Sequence, residues 1–537
     1  MNKIQFIAFL SLIVVACADS KSKVEISERD NQLFDKAHAN AIAANEGFIR
    51  CENFVEGWLE HCDAESGLIP RNLEGDTDIW NAKDAAADNY PFMVLTSFFV
   101  DQRLFDGKML DMLRTEKQLT SRVHSLPDTY SFFKKDFQNE ELNMGSIIFG
   151  TSEYIKDGLL PLTEWLGESP WSERMIEMLY DLKSEVNVAD QIDRAGSGNA
   201  TREEVNGELL QTLSRIYWMT GDTAFLDWAI KIGDYYLLGD HHPTRDLEYL
   251  RLRDHGCELI SGLCELYVVT SFIRSDKKEA YQAPLHKMLD RILEVGRNED
   301  GFFYDAINPQ TGQIVQERIA DNWGYTLNGY YAIALLDDKP EYKEAISTVF
   351  SNLHKYENHD WENGSSDGYA DAIESALNLF NRMPEAEVAD WIDSEIKVMW
   401  GKQQDSGIIE GWHGDGNFAR TSIMFNLWKS KGVYAKPWRE DLLLGAEQKG
   451  DSLLISITAE KPWTGKLYFD TPRHKANLKL PIDWPRINQF PEWFTVSKDR
   501  KYEVVDFDNP EPITYRGNQL SEGLTLEIGK EKKLVIH

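Results

Sequence analysis

The chain has 537 residues, 42% of them hydrophobic and 12% aromatic, which is apolar material enough for a large core and more than one domain. A formal net charge of −32 leaves no basic stripe to neutralise a phosphate backbone, so a nucleic-acid partner is not expected. The same charge disfavours wrapping a long polyanionic polymer, while a short anionic ligand held by a local basic cluster stays compatible with it. The 16 Trp and 21 Tyr suit either sugar-ring platforms or large core positions.

The N-terminus reads "MNKIQFIAFLSLIVVACADSKSK". Lys3 supplies a positive start, Ile4 to Val15 an apolar run too short to span a bilayer, and Val14 to Cys17 a small-residue cleavage site ending in cysteine. This pattern resembles a bacterial lipoprotein signal. It implies a signal peptide over 1–16, lipidation at Cys17, a polar tether over 17–29, and an exported protein anchored in a membrane on the periplasmic side or at the cell surface. The other cysteines, Cys51, Cys62, Cys257 and Cys264, have no zinc-like spacing, and each pair is too far apart along one helix to bridge. They are expected to be free, buried thiols.

From residue 30 to about 436 helical periods follow one another, joined by short polar or Gly-containing turns. In "LSRIYWMTGDTAFLDWAIKIGDYYLL", Gly221 closes one helix and Asp222 can cap the next. About a dozen such helices with little strand signal predict a mainly α fold, an (α/α)6-type toroid or barrel; no fixed sequence period supports a solenoid. From about 437 to 537 the texture changes to short β-rich runs such as "DSLLISITAE" and "KYEVVDF", which predict a C-terminal β-sandwich-like domain. The Pro- and Trp-rich "LPIDWPRINQFPEWFTV" between them reads as a long loop packed back on the barrel.

Six connections carry an unusual density of Asp, Asn, His, Arg, Tyr and Trp just before or at helix starts: "WNAKDAAADNYPF", "GNATREEVNGE", "DHHPTRDLEYLRLRDHGCE", "ADNWGYTLNGYY", "NGSSDGYADAIE" and "IIEGWHGDGNFART". In a toroid such loops meet at one end, which predicts one shared pocket. The third is the richest, with His241, His242, Arg245, Arg251, Arg253 and His255 in a chain that is otherwise acidic. A salt-bridged face is one reading of it. The functional reading is an anion clamp with Arg253 and His255 as general acid or base near neutral pH. The catalytic candidates are therefore His255, Tyr325, His413 and Arg253. The substrate-binding candidates are Asn89, Tyr90, Asn206, Glu208, Arg245, Trp323, Trp412 and Arg420. His255 and Glu258 have a metal-compatible spacing, but no second His-rich segment completes a sphere, so neither metal nor other cofactor is expected.

The runs "NYPFMV", "VNGELLQTL", "RLRDHGCELISGLCELY", "DNWGYTLN" and "EGWHGDGNFART", with the β tail, resemble lipoproteins of algal-polysaccharide degradation that act on ulvan oligosaccharides as dehydratases. More distantly the barrel is similar to unsaturated glucuronyl hydrolases, exo-glucuronidases and (α/α)-barrel polysaccharide lyases; the catalytic-Asp motif usual near the first helices of those hydrolases is absent. The resemblance implies an oligosaccharide lyase that removes water across C4–C5 of a terminal uronate. That reaction needs the carboxylate charge neutralised, a base for C5–H and an acid for the departing hydroxyl, work suited to Arg, Asn, His and Tyr. Hydrolysis would need two carboxyl groups about the glycosidic oxygen, for which Asp88, Glu208, Asp254, Asp321, Asp367, Asp371 and Glu410 are candidates. A glycan-binding lipoprotein without activity is the third reading.

Overall fold

The structure, a computed structural model, describes residues 28–186, 202–254 and 256–537. The expected signal peptide, Cys17 and His255 lie outside the described residues.

Helical stretches 82–100, 144–166, 202–220, 256–273, 323–334, 366–380 and 414–429 each pack against the next, and the last returns to the first, so that they close a ring. Between them in sequence run the helices of an outer layer, among them Pro170–Glu185, Ser275–Val295, Pro340–Asn352 and Ala386–Trp400. This is the double ring expected, an (α/α) barrel, closed by seven inner stretches rather than the six taken as typical. The local devices are those legible in the chain: Gly221 turns at φ 72°, and the Asp222 carboxylate accepts from the Ala224 amide at 2.8 Å. Asn81 and Ser365 cap the inner stretches that start after them in the same way.

Two glycines set one close joint of the inner ring. A Cβ at Gly207 would lie 2.3 Å from the Leu259 amide nitrogen, and one at Gly262 would lie 2.7 Å from the Gly207 carbonyl oxygen. Helices 202–220 and 256–273 thus touch backbone to backbone, and no side chain fits between them. Gly207→Ala is expected to destabilise the fold by about 1–3 kcal/mol through overpacking, read as a lower urea midpoint at an unchanged slope. The helix Gly256–Ile273 is long and apolar enough to cross a membrane by composition, yet 78% of it is buried as an inner member of the ring. Its apolar character serves the barrel core. Cys51, Cys257 and Cys264 are buried free thiols, and Cys62 is free and half-buried.

Some connections that read as plain loops fold as small antiparallel sheets. Ile79–Trp80 pairs with Tyr130–Ser131, and Leu250–Arg251 pairs with the hairpin of Tyr304–Asn308 and Gln313–Ile319. Both sheets lead directly into inner-ring helix starts, so they brace the residues that open those helices.

From Tyr434 onward strands replace long helices as the main regular element. A five-stranded and a three-stranded antiparallel sheet enclose a core that includes Leu453, Ile455, Leu467, Val496 and Leu534. The five-stranded sheet does not stand apart: a Cβ at Gly445 would fall 2.2 Å from the Ala37 carbonyl oxygen, and Asn40 donates to the Ala446 carbonyl at 3.0 Å. The first helix, Glu28–Leu59, is therefore shared between barrel and sheet. The Pro- and Trp-rich loop enters the barrel from the C-terminal ends of the inner helices. Trp484 packs with Val268 and Ala332, Arg486 pairs with Glu164 at 2.9 Å, and Arg215 donates to the Ile487 carbonyl.

Candidate active site

At the opposite end, where the inner helices begin, a cavity of about 450 Å³ opens. Ten carboxylates and five cations line it. So many carboxylates in one enclosure repel each other, and two features offset this. Most of the inner helices present their N-terminal turns, whose free amides and dipoles favour negative charge. Four of the cations are also spent on carboxylates. Arg71 donates to Asp84 at 2.6 Å, and Lys156 lies 2.6 Å from Asp157 and 2.5 Å from Glu258. Arg251 lies 2.6 Å from Asp254, and Arg420 lies 2.7 Å from Asp371 and 2.8 Å from Glu374. The fifth is Lys83, whose ammonium sits 5.9 Å from the centre of the Phe149 ring and has no carboxylate within ion-pair distance among the described residues.

His413 precedes the helix Gly414–Lys429, its ring set edge-on to Trp412 at 4.0 Å, with Nδ1 3.5 Å from the Asp84 carboxylate. Asp84 is itself held by Arg71 and by Asn81, which donates to it at 2.5 Å. Burial would raise the Asp84 pKa, but His413, Lys83 and Arg71 outweigh it and hold the carboxyl below its usual range. Burial lowers the His413 pKa to about 4 against the pull of Asp84 and Asp254. The imidazole, enclosed by protein but open to the cavity, is thus neutral at neutral pH.

Across the cavity Tyr325 opens the helix Trp323–Ala334. Its hydroxyl lies 2.9 Å from Asp371 and 3.0 Å from Glu374. Burial, opposed by Arg420 and reinforced by the two carboxylates, raises its pKa well above 10, so the phenol keeps its proton. Burial raises Glu374 to about 7, with Arg420 opposing, and it raises Asp367 well above the carboxylate range, with Asp371 and Glu362 adding to it. Asn417 donates to Asp367 at 2.7 Å. Asn488, at the tip of the Pro- and Trp-rich loop, closes the floor. Its side chain accepts from Arg420 at 2.9 Å and donates to Asp157 at 2.6 Å, and its amide donates to Glu374 at 2.7 Å. Its φ of 60° is a left-handed conformation that Asn tolerates better than most residues.

Of the residues expected at the site, Tyr325, His413, Trp412 and Arg420 line the cavity. Asn89 is buried behind the wall and donates to the Trp412 carbonyl at 3.2 Å. Tyr90 is a core residue, bonded to the Met109 carbonyl and to the Trp171 indole. Asn206 donates to the Tyr236 hydroxyl at 3.1 Å, and Trp323 is fully buried edge-to-face against Phe302. Arg253 is buried and forked onto Asp321 and Glu362, so clamping a substrate carboxylate would mean giving up a carboxylate it already holds. Arg245 lies on the outer surface, paired with Asp246 at 2.6 Å. The pattern is one of helical phase. Glu204 faces the cavity, so Asn206, about 200° further round, cannot; Tyr325 and Trp323 differ in the same way. Lys83, Asp84, Lys156, Asp157 and Asn488 were not singled out in the sequence. For Lys156 and Asp157 the signal was an adjacent charged pair inside the apolar run "YIKDGLLPL".

Two sets of side chains have ligand atoms close enough to share a cation: Asp84, Asp88 and His413 of the cavity lining, and the buried Glu153, Glu204 and Glu208, of which the first two also line the cavity. In the first, one oxygen of Asp84 is already held by Arg71 and Asn81.

No family model matches the chain, and no curated protein is similar to it. Several solved structures are. A glycoside hydrolase family 76 mannosidase of Bacteroides thetaiotaomicron is 9% identical over 71% of this chain and 99% of that one, with a TM-score of 0.40. An α-1,6-mannanase of Salegentibacter sp. in complex with α-1,6-mannotetrose is 10% identical over 71% and 98%, with a TM-score of 0.39. An unsaturated glucuronyl hydrolase of Bacillus sp., responsible for the degradation of glycosaminoglycan, is 10% identical over 53% and 86%, with a TM-score of 0.35. Likeness of this degree says nothing about the chemistry of the cavity described above.

Proposed function

We propose that the protein is a carbohydrate-active lyase that removes water across C4–C5 of a non-reducing-end uronate on a short oligosaccharide of the ulvan type. The observation that carries this reading is the composition of one cavity: a neutral imidazole beside Asp84, a phenol that keeps its proton, and an ammonium with no carboxylate within ion-pair distance among the described residues. Lys83 meets the uronate carboxylate and draws charge from the enolate-like state, which makes C5–H acidic enough to remove. His413 takes that proton, and Tyr325, backed by Asp371 and Glu374, gives one to the departing C4 hydroxyl. The resemblance of "EGWHGDGNFART" and "DNWGYTLN" to the dehydratases falls on these same two segments. Export and anchoring through Cys17 belong to the same proposal and place the enzyme where such oligosaccharides are met.

Hydrolysis is the second reading, favoured by one observation: burial, with Asp371 and Glu362 adding to it, raises the pKa of the cavity carboxyl Asp367, the direction a general acid needs. Mass spectrometry on uronate-terminated oligosaccharides separates the two. Loss of one water with the chain intact supports elimination; cleavage with uptake of water would overturn it. Lys83→Met is expected to raise KM for the uronate by about ten- to a hundredfold, the worth of one charge-assisted bond, and to leave a carboxyl-reduced analogue unaffected.

A further inference from the structure

The Tyr325 hydroxyl has two carboxyl oxygens within hydrogen-bond distance, Asp371 Oδ1 at 2.9 Å and Glu374 Oε2 at 3.0 Å. A phenol carries one hydrogen, so it donates along one of these lines only. The other line needs a hydrogen that the carboxyl brings. Charge points the same way. Among the described residues Arg420 is the one cation paired with either group, 2.7 Å from Asp371 and 2.8 Å from Glu374. Two carboxylates against one guanidinium would leave a net negative charge where Glu374 is fully buried. One retained proton removes both difficulties.

The surrounding bonds assign that proton. Asp371 Oδ1 already accepts from Arg420 Nη2, which marks it as the acceptor for the phenol as well. Glu374 Oε1 accepts from the Asn488 amide at 2.7 Å and from Asn378 at 3.4 Å. Its Oε2 faces Arg420 Nε, whose N–H makes no hydrogen bond among the described residues. Oε2 therefore receives no N–H and is left to carry a hydrogen toward Oη. Burial raises Glu374 to about 7; Asp371 on its own helix adds to this, while Arg420 from helix 414–429, the Asn488 amide and Tyr325 from helix 323–334 oppose it. Glu374 does not line the cavity, whereas Tyr325 does, so its hydrogen-bonded path to the cavity runs through Oη.

We propose that Glu374 stores the proton behind the acid of the reaction: as Tyr325 gives its hydrogen to the departing C4 oxygen, Glu374 passes its own from Oε2 to Oη. This rests on the elimination proposed above. There the C5–H proton goes to His413 and its electron pair ends in the C4–C5 double bond. The C4–O bond breaks with its pair on oxygen, which leaves as water. The phenol is restored in the same step, so no phenolate forms where burial opposes one. The charge ends on Glu374, beside Arg420 and the Asn488 amide. Between turnovers His413 returns its proton to solvent, and Glu374 regains one along the same path in reverse. Glu374 is a positioning residue, since it reaches the substrate through Tyr325.

The test compares kcat against pH for the parent, Glu374→Gln and Tyr325→Phe on a uronate-terminated oligosaccharide, with urea midpoints of the same proteins at pH 5 and 8. Parent kcat is expected to fall as pH rises through about 7, where Glu374 gives up its proton. Glutamine keeps an acceptor for Asn488 but has no proton to pass on. Glu374→Gln should lower kcat by about 10²-fold below that limb, change KM little, and lack the limb itself. The stability readout needs no turnover. A carboxyl whose folded pKa is raised adds stability below about pH 4.5 that is lost as pH rises through the folded value. The parent's midpoint should therefore drop more between pH 5 and 8 than that of Glu374→Gln. Tyr325→Phe should keep this drop while its residual turnover loses the limb, because the path is cut and the carboxyl stays; it decides the matter should Glu374→Gln not fold. A Glu374→Gln protein that keeps the parent's limb and loses kcat by one factor at every pH, as a purely structural role would give, would overturn the proposal. So would an equal drop in midpoint for both. A drop confined to the parent, without any loss of water from its substrates, would uphold the stored proton and count against the lyase reading alone.

Discussion

Replacing Arg420 with methionine is expected to cost the fold about 3–5 kcal/mol, the loss that follows when a buried ion pair is broken from one side. The guanidinium is almost fully buried, in contact with Asp371, Glu374, Asn417 and Asn488. Methionine fills the space but leaves two carboxylates without their counter-charge. The loss should grow with pH. Burial already raises Glu374 to about 7 with Arg420 present, and without the cation the value climbs further. A carboxyl whose folded pKa exceeds its unfolded one adds stability below about pH 4.5, and that stability is lost as pH rises through the folded value. At pH 5 Glu374 is protonated in parent and variant alike, while at pH 8 only the parent can ionise it cheaply. Chemical denaturation of both proteins at the two pH values checks this. A deficit equal at pH 5 and 8 would mean that Glu374 is not the group in question.

His413→Ala is expected to lower turnover by about 10²- to 10⁴-fold with little change in stability, since the ring borders the cavity rather than the core. In the parent, the limb of kcat/KM that belongs to His413 should lie near pH 4, where the imidazole takes up a proton; a histidine with the ordinary value would place it near 6.5. Asp367→Asn is the counterpart. It should be mild for elimination and severe for hydrolysis, where the protonated carboxyl would be the acid. Should Asp367→Asn abolish the reaction while His413→Ala leaves it running, the lyase mechanism falls.

Much of the fold was legible because helix, turn and cap are local signals. Gly221 and Asp222 mark a joint whichever fold surrounds them, and the change of period near residue 437 follows from strand alternation. Ring size was not legible, since it depends on how closely neighbours approach, and contacts such as Gly207 against Leu259 connect residues 52 positions apart. For the cavity the loops were legible but the rotation of each helix was not. "WNAKDAAADNYPF" drew attention to Asn89 and Tyr90, while Lys83, Asp84 and Asp88 on the same segment face the cavity. That segment and 154–159 wind as wider π-helical turns packed against each other, which shifts the phase that a 3.6-residue period predicts. Asn488 was beyond reach for another reason: nothing near it in sequence says that a loop between strands enters a barrel some 70 residues behind it, beside Arg420.

That loop also decides which molecules can use the cavity. Trp484, Arg486 and Ile487 fill the far end of the barrel and Asn488 caps the floor, so the barrel is a blind well with one mouth. A polymer cannot thread it, and an internal sugar would have to bring a chain segment on both sides through the same opening. On the proposed reading the part of a glycan that enters is a chain end. Its products should then appear one chain end at a time, with the length of the remaining polymer almost unchanged early in digestion.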